Sequence, residues 1–128
     1  MPFTFEHIHL RSPDPEATAT FYEKMFGAKV IRSEQEGKPR IDLDLGGCQV
    51  FIAKVNPGDP VNPPPTTPYQ GLDHIGLAVE DMDVAVIGLK TKGAQFTMEP
   101  KLLRPGLRIA FLCGPEGVSI ELLERTPA

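Results

Sequence analysis

Two short stretches, Phe5-Glu6-His7-Ile8-His9-Leu10 and Leu72-Asp73-His74-Ile75-Gly76-Leu77, decide how this chain folds. In both, an acidic residue, a histidine and an isoleucine follow one another, and apolar residues then alternate along the stretch, which is typical of a half-buried β-strand. A turn with an acidic residue follows each stretch, and then a helical stretch at residues 15–25 or 82–92. A glycine after the last helical turn is a common stop signal, and it is present in both copies. The recurrence indicates two copies of one unit.

Three further strands are predicted after each helix. In the first unit they lie at residues 30–32, 40–45 and 48–55, with Gly46-Gly47 as a hairpin turn. In the second unit they lie at residues 95–98, 107–112 and 118–123. Each unit therefore reads as strand, helix and three strands.

The segment between the two copies is rich in proline. Residues 56–70 hold six of the fourteen prolines, and proline interrupts both helices and sheet ladders. A stiff, extended linker is predicted there. We therefore expect one domain over residues 1–128, built from unit one (1–55), the linker (56–70) and unit two (71–128).

Composition and charge exclude several classes of protein. The 128 residues carry a net charge of −4, from 13 basic and 17 acidic residues, which argues against nucleic-acid binding and against a polybasic membrane module. No apolar run approaches the ~20 residues that cross a bilayer. The first ten residues contain a glutamate and two histidines instead of an apolar signal core, so a cytoplasmic protein is expected.

Side chains alternate between the two faces of each strand, and this separates an aliphatic face from a polar one. The aliphatic face is expected to meet the helices through the following apolar positions: Phe21, Tyr22, Met25, Val84, Ile87 and Leu89. The polar face is expected to collect the following residues: His7, His9, Asp42, Asp44, Gln49, His74, Arg108 and Glu121. All three histidines of the chain fall in this set. We therefore predict a functional polar cavity, in preference to the plain solvated face that antiparallel sheets often have.

Three residues of the polar face form a candidate metal-ligand set. His7 and His74 are matched positions of the two copies, and Glu121 lies on the last strand. Two imidazoles and one carboxylate suit a divalent transition ion and leave coordination positions open for substrate or dioxygen. His9 is a candidate acid or base near neutral pH, or a spectator, and it is a weaker alternative to His7 as a ligand.

These motifs, together with the ending Gly114-Pro115-Glu116-Gly117-Val118-Ser119-Ile120-Glu121-Leu122, resemble the vicinal oxygen chelate superfamily. That superfamily contains glyoxalase I, methylmalonyl-CoA epimerase, extradiol dioxygenases, fosfomycin-resistance transferases and bleomycin-resistance proteins. The resemblance implies an α+β fold in which tandem βαβββ units form a curved mixed-sheet cup with the helices on its convex face. It also implies metal ligands on the first and last strands of each unit, which matches His7, His74 and Glu121.

The sequence departs from the superfamily at the fourth ligand position, where the repeat places Phe51. Gln49 lies on the same face one pleat away, and a bulge or a shift would bring it in. A set of two histidines and one carboxylate resembles the extradiol dioxygenases, so the resemblance leans slightly to Fe²⁺ and dioxygenase chemistry; Mn²⁺, Ni²⁺, Co²⁺ and Zn²⁺ are alternatives. A glyoxalase I-like lyase, an epimerase-like isomerase, a non-catalytic drug-binding resistance protein and a vestigial site remain open.

Other residues have candidate roles, of which those of Asp42 and Arg11 follow from the resemblance. Asp42 lies near the position of a catalytic acid in the epimerases, and Arg11 resembles the arginine that grips the carboxylate of glutathione in glyoxalase I. Arg108 is a candidate partner for a substrate carboxylate, and Phe51 would be an apolar wall. Residues 97–106 are a candidate lid or a simple connection.

The resemblance also implies partners. The expected substrate is a small molecule that binds the ion through adjacent oxygens, and the expected assembly is a homodimer. If the units are exchanged between chains, His7 comes from one chain and His74 with Glu121 from the other.

Overall fold

A computed structural model describes residues 2–127 of the chain. The chain divides into two compact units, one that ends at Asn62 and one that begins at Pro63, so the boundary lies inside the predicted linker. Residues 56–70, all of which are described, contain no helix or strand. Among the described residues, neither helix is long and apolar enough to cross a membrane.

Unit 1 contains one helix and a four-stranded mixed sheet. Its elements are β1 (Ile8–Ser12), α1 (Pro15–Phe26), β2 (Lys29–Gln35), β3 (Lys38–Leu45) and β4 (Cys48–Lys54). The strand order is β1-β4-β3-β2, in which β1 runs parallel to β4 and the other pairs are antiparallel.

Unit 2 repeats this arrangement. Its elements are β5 (Ile75–Ala78), α2 (Met82–Thr91), β6 (Phe96–Arg104), β7 (Leu107–Cys113) and β8 (Ser119–Arg125). The order is β5-β8-β7-β6, with β5 parallel to β8. The predicted α+β class with tandem βαβββ units is therefore confirmed.

One face of each sheet is buried against the helix of its own unit. In unit 1, Leu43 and Val50 are cross-strand partners and are only 1% and 2% exposed. In unit 2, Leu112 and Ile120 are partners, and both are fully buried. Cross-strand partners share a face, so these pairs identify the helix-facing side of each sheet.

The apolar face of α2 differs from the prediction. Met82, Val86 and Leu89 are buried, whereas Val84 and Ile87 are each 67% exposed. The buried positions are spaced by four and three residues, which places them on one side of a helix. The sequence-based set of Val84, Ile87 and Leu89 combined two sides of the helix, and it is wrong for the first two.

The predicted loop at residues 97–106 is mostly strand. β6 continues to Arg104, and only Pro105 and Gly106 separate it from β7. The pairing of β6 with β7 shifts register between Met98 and Lys101, on either side of Pro100. Because β6 is the edge strand of its sheet, it tolerates a proline that an inner strand would not. The candidate lid is therefore one strand of a hairpin.

Candidate metal and ligand-binding residues

His74 lies immediately before β5 and is held between two carboxylates. Its Nδ1 is 2.9 Å from Oδ2 of Asp73, and its Nε2 is 3.1 Å from Oε1 of Glu121. The ring also contacts the edge of Phe111, with 5.0 Å between the ring centroids. The structure thus brings two of the predicted metal ligands, His74 and Glu121, within direct contact.

The cross-strand partner of Glu121 is a glycine that packs closely against Leu123. Gly76 is the cross-strand partner of Glu121, and a Cβ at this position would lie 3.9 Å from Oε1 of Glu121 and 3.0 Å from Cδ1 of Leu123. A larger residue at position 76 would therefore displace the side chain of Leu123.

The two carboxylates favour the protonated imidazole. The pKa of His74 is raised above its ordinary value, first by the hydrogen bond with Asp73 and then, against the effect of burial, by the hydrogen bond with Glu121. The hydrogen bond to His74 also lowers the pKa of Asp73. When Nδ1 donates its hydrogen to Asp73, Nε2 needs either a proton or a cation to face the oxygen of Glu121.

The distance between Nε2 of His74 and Oε1 of Glu121 fits a shared metal ion. Imidazole nitrogens and carboxylate oxygens bind divalent ions such as zinc at about 2.0–2.2 Å, so two adjacent ligand atoms stand roughly 3.4 Å apart around a tetrahedral ion and roughly 3.0 Å apart around an octahedral one. The observed separation is 3.1 Å. The hydrogen bond from Asp73 is the kind of outer contact that fixes the ring of a metal-binding histidine.

His7 has a different environment in unit 1. Its Nδ1 is 2.6 Å from Oε1 of Glu6, which matches the pairing of His74 with Asp73. Unlike His74, however, its ring stacks on Phe51, with 4.0 Å between the ring centroids. In unit 1 the cross-strand partner of Phe51 is His9, and in unit 2 the partner of Glu121 is Gly76. Phe51 therefore occupies the position in unit 1 that the carboxylate of Glu121 occupies in unit 2.

Gln49 makes a polar contact within unit 1. Its Nε2 donates to Oε2 of Glu6 at 3.4 Å. Gln49 therefore supports the residue that holds His7.

Within residues 2–127, no three His, Cys, Asp or Glu side chains form a group that could hold a metal ion. His74 and Glu121 belong to unit 2, and His7 belongs to unit 1. The role of His7 as the third ligand stays a prediction.

The predicted position of Arg108 on the polar face is wrong. Arg108 pairs across the sheet with Glu124, on the side that carries the buried pair Leu112 and Ile120. Its Nη2 donates to Oδ1 of Asp83 at 3.0 Å, in the first turn of α2. Arg108 therefore holds the helix, and its predicted contact with a substrate has no support in this position.

The error has a clear origin in β7. Leu107 and Ile109 are buried on one side of this strand, and Ala110 and Leu112 are buried on the other. When a strand carries apolar side chains on both faces, their alternation does not show which face meets the helix. Phe111, the partner of Glu121, lies on the polar face instead.

The polar face of unit 1 carries a charged cluster around Phe51. Asp42 and His9 are both cross-strand partners of Phe51, so the three side chains lie in one row. The guanidinium of Arg40 lies 4.6 Å from the centre of the Phe51 ring, and its Nε donates to Oδ2 of Asp42 at 2.9 Å. Sequence reasoning missed Arg40, although it lies two residues before Asp42 and therefore on the same face.

The electrostatics of this face act on His9. Partial burial lowers the pKa of His9, and the neighbouring positive charges of Arg11, His7 and Arg40 lower it further, while Asp42 acts in the opposite direction. His9 lines a cavity of about 410 Å³ together with Arg40, Asp42 and Phe51.

Two remaining candidates lie elsewhere on unit 1. Arg11 lines a second cavity of about 510 Å³ with Lys54 and residues 59–62. Asp44 accepts a hydrogen bond from the backbone of Gly47 at 2.8 Å, so it stabilises the hairpin turn between β3 and β4.

Comparisons with known proteins agree on one family. The model of the Glyoxalase/Bleomycin resistance protein/Dioxygenase superfamily matches residues 4–122. Lactoylglutathione lyase of Arabidopsis thaliana is 28% identical over 131 residues, which cover 96% of this chain and 44% of that protein. Glyoxalase I of Saccharomyces cerevisiae is 30% identical over 144 residues, which cover 91% of this chain and 43% of that protein. The chain spans less than half the length of these two relatives.

A solved structure shares the fold. The glyoxylase/bleomycin resistance protein/dioxygenase domain from Frankia sp. matches with a TM-score of 0.75 and 21% identity, over 98% of this chain and 100% of that one. At this identity the likeness shows the fold alone.

Proposed function

Because the chain belongs to the Glyoxalase/Bleomycin resistance protein/Dioxygenase superfamily, we propose that it is a metal-dependent enzyme whose divalent ion is held by His74 and Glu121. The 3.1 Å separation between Nε2 of His74 and Oε1 of Glu121 is the observation that carries the proposal. The sequence assigns the third ligand to His7, from the same chain or from a second copy. Imidazole and carboxylate donors suit Fe²⁺, Mn²⁺, Co²⁺, Ni²⁺ and Zn²⁺.

Each residue of the unit 2 site has its own task. Asp73 accepts the hydrogen of Nδ1 and so aims Nε2 of His74 at the ion. Gly76, the cross-strand partner of Glu121, leaves room for the side chain of Leu123. When bound, the ion acts as a Lewis acid that polarises two neighbouring oxygens of a small substrate.

We propose lyase or isomerase chemistry as the reaction. The names of the two relatives, lactoylglutathione lyase and glyoxalase I, support a thiol–aldehyde adduct as the substrate class. In such a reaction a base takes the proton from the carbon that carries the hydroxyl and the sulfur, and a proton is delivered to the adjacent carbonyl carbon; Glu121 is the carboxylate of this site that would carry the proton. His9 remains a candidate for a second proton carrier on the unit 1 side.

Dioxygenase chemistry is the second candidate, and Phe51 is the observation that favours it. Phe51 stands at the position that matches Glu121, and it cannot bind a metal. A site with two histidines and one carboxylate leaves positions for both a substrate and dioxygen.

Metal binding is tested by thermal unfolding of the purified chain with and without added divalent ions, together with elemental analysis. We expect a metal-induced rise in the unfolding midpoint in the wild type, and its loss in His74→Ala and Glu121→Gln. Glu80→Gln, which changes an exposed carboxylate of the same unit, serves as the matched control and should keep the rise. A wild type without bound metal and without any rise would contradict the proposal and would favour simple drug sequestration.

The reaction is tested on two substrate panels. Turnover of a hemithioacetal without ring fission of catechols supports the lyase. Ring fission after anaerobic reconstitution with Fe²⁺, without turnover of the hemithioacetal, moves the function to the dioxygenase. Neither activity in a metal-loaded protein would refute both reactions.

A further inference from the structure

Phe111 is a half-buried aromatic residue of β7 that stands beside both proposed metal ligands of unit 2. It is the cross-strand partner of Glu121, and its ring contacts the imidazole of His74 with 5.0 Å between the centroids and 81° between the planes. On its other side Phe111 pairs with Met98 of β6. Cross-strand partners lie side by side on one face of a sheet, so Phe111 lies in one row between Glu121 and Met98.

The two hydrogen bonds of His74 do not by themselves fix its ring when a metal is bound. The side chains of His74 and Asp73 are 33% and 38% exposed, so water reaches the hydrogen bond at Nδ1. The hydrogen bond between Nε2 of His74 and Oε1 of Glu121 needs a proton. A histidine that binds a metal carries no proton at the nitrogen that meets the ion. The second hydrogen bond is therefore unavailable in the metal-bound state.

The contact between His74 and Phe111 does not depend on that proton. Aromatic rings that meet edge to face, with roughly 4.5–7 Å between their centroids, attract one another. The pair of His74 and Phe111 has this distance and is nearly perpendicular. If the imidazole turned about its Cβ–Cγ bond, it would lose this contact, and the same rotation would move Nε2 away from Glu121.

Unit 1 also places an aromatic ring beside its histidine, but from another strand. In unit 1 the aromatic residue is Phe51 on β4 and the acid is its partner Asp42 on β3. In unit 2 the acid is Glu121 on β8 and the aromatic residue is Phe111 on β7. His7 lies stacked on Phe51, with 26° between the ring planes. An aromatic neighbour therefore accompanies both histidines, and in unit 2 it leaves the nearer strand to the carboxylate.

We propose that Phe111 is the positioning residue of the unit 2 metal site, because its ring holds the imidazole of His74 at the angle at which Nε2 faces the carboxylate of Glu121. This role rests on the proposed function, since it concerns the ion that His74 and Glu121 are proposed to bind. Phe111 supplies no ligand atom itself. Its replacement should therefore weaken metal binding, whereas the loss of His74 should abolish it.

The role of Phe111 is tested by titration of the metal-free full chain with Co²⁺, followed by visible absorption, at a temperature well below the unfolding midpoint. We expect Phe111→Leu, which keeps an apolar side chain but has no ring, to raise the dissociation constant about three- to tenfold, as the loss of an aromatic contact predicts. Phe111→Tyr keeps the ring and should bind Co²⁺ as the wild type does. Phe111→Met is a second variant without a ring, for use if Phe111→Leu does not fold.

Phe96→Leu is the matched control. Phe96 is also a half-buried aromatic residue of unit 2, but it pairs with Leu112 on the side of the sheet that faces the helix. This variant should leave the dissociation constant for Co²⁺ unchanged. Thermal unfolding of each metal-free variant measures any loss of stability separately from the loss of metal affinity.

Proton NMR of the metal-free chain gives a readout that does not involve the ion. The imidazole C–H signals of His74 are identified by their absence in His74→Ala. We expect nuclear Overhauser effects between these protons and the ring of Phe111, and a change of their chemical shifts in Phe111→Leu, because the ring current is lost. A wild type without these effects would refute the contact.

Three results of the Co²⁺ titrations would overturn the role of Phe111. They are an unchanged dissociation constant in Phe111→Leu, an equal rise in Phe96→Leu, and a rise in Phe111→Tyr as large as that in Phe111→Leu. A wild type that binds no Co²⁺ is a different failure, because it refutes the metal site itself and the role of Phe111 with it.

Discussion

The hydroxyl of Tyr22 is buried in the core of unit 1 without a hydrogen bond. The residue is 1% exposed, and among residues 2–127 its oxygen has no partner. We expect Tyr22→Phe to keep or raise the free energy of unfolding, by up to about 1 kcal/mol, because no hydrogen bond is lost and a buried polar atom is removed. Denaturant unfolding measures the difference.

The control for Tyr22→Phe is a truncation in the same core. Leu43→Ala should lower the free energy of unfolding by about 2–5 kcal/mol, as other buried leucines do. A comparable loss in Tyr22→Phe would mean that the hydroxyl has a partner after all.

The same tyrosine makes stability depend on alkaline pH. Burial raises the pKa of Tyr22 from 10.0 to about 12. Above pH 10 the tyrosine of the unfolded chain loses its proton while the folded one keeps it, so ionisation favours unfolding until pH 12. The wild type should therefore lose about 2–3 kcal/mol between pH 10 and 12 that Tyr22→Phe retains. Parallel curves for the two proteins would contradict this.

Single residues of the site differ in how well sequence reasoning could find them. The contact between His74 and Glu121 was predictable, because a repeat singles out the histidine and strand alternation gives the face of the glutamate. Arg108 was not, because β7 buries apolar side chains on both faces and the alternation then fits either direction. That Oδ1 of Asp42 is buried without a hydrogen-bond partner among residues 2–127 follows only from atomic packing, which a strand pattern does not contain.

At the scale of elements, the start of α1 is joined to the end of β1 by buried hydroxyls. Ser12 and Thr18 are 1% and 3% exposed, and Oγ1 of Thr18 donates to Oγ of Ser12 at 2.7 Å. Oγ of Ser12 also accepts from the backbone N–H of Asp14 at 3.0 Å. Ser12→Ala should therefore lower the free energy of unfolding by about 1–3 kcal/mol, because two donors lose their acceptor.

A double-mutant cycle separates the two contacts of Ser12. Thr18→Val removes the hydroxyl that Ser12→Ala leaves without a partner, so the double variant should be more stable than the sum of the single losses implies. Strict additivity in denaturant unfolding would argue that the hydroxyls do not interact.

The start of α2 depends on Arg108. Arg108 contacts Asp83, and the carboxylate of Glu124 accepts from the backbone N–H of Met82 at 2.7 Å. Arg108→Gln should lower the thermal unfolding midpoint and leave the metal-induced rise unchanged, because its contacts hold a helix. Arg104→Gln, on the exposed end of β6, is the control and should change neither. If Arg108→Gln abolished the metal-induced rise in the unfolding midpoint, Arg108 would belong to the metal site after all.

The elements show where local signals suffice. Helix α1 begins after Asp14, which accepts from the backbone of Ala17, and ends at Gly27 in the left-handed region with φ of 72°, as capping residues predict. β6 was cut short in the prediction because Pro100 resembles a loop residue. Its place at the edge of the sheet, which a local pattern does not reveal, makes the proline compatible with a strand.

At the scale of the whole molecule, exposed apolar side chains accompany two edge strands. β1 and β5 are each at the edge of their own sheet. Phe3 and Phe5, just before β1, are 77% and 76% exposed, and Leu72, before β5, is 71% exposed. Apolar surface beside an edge strand favours association, so we expect a homodimer.

Light scattering of the purified chain tests the homodimer. Phe5→Ser combined with Leu72→Ser should raise the monomer fraction. Val84→Ser with Ile87→Ser, which removes two apolar residues of similar exposure from α2, should not. A monomeric wild type would refute the expectation.

The order of elements in the whole chain was predictable, because one repeat fixed both copies. The division at Asn62 was predictable only to within the proline-rich segment, since that segment has no strand or helix signal to mark a boundary. Which side of β7 faces its helix required the register, whereas the repeat already indicated the difference between the two copies at Phe51 and Glu121, and the register agrees with it.

That difference gives protein engineering a template inside the molecule. Unit 2 shows that a glycine and a glutamate in adjacent register positions present a carboxylate to a histidine. Copying the arrangement into unit 1 takes two substitutions, His9→Gly and Phe51→Glu. The exchange would make the two units more alike, but it would also remove the Phe51 ring on which the guanidinium of Arg40 lies. The two units thus offer one backbone arrangement on which different side chains can be tested at matched positions.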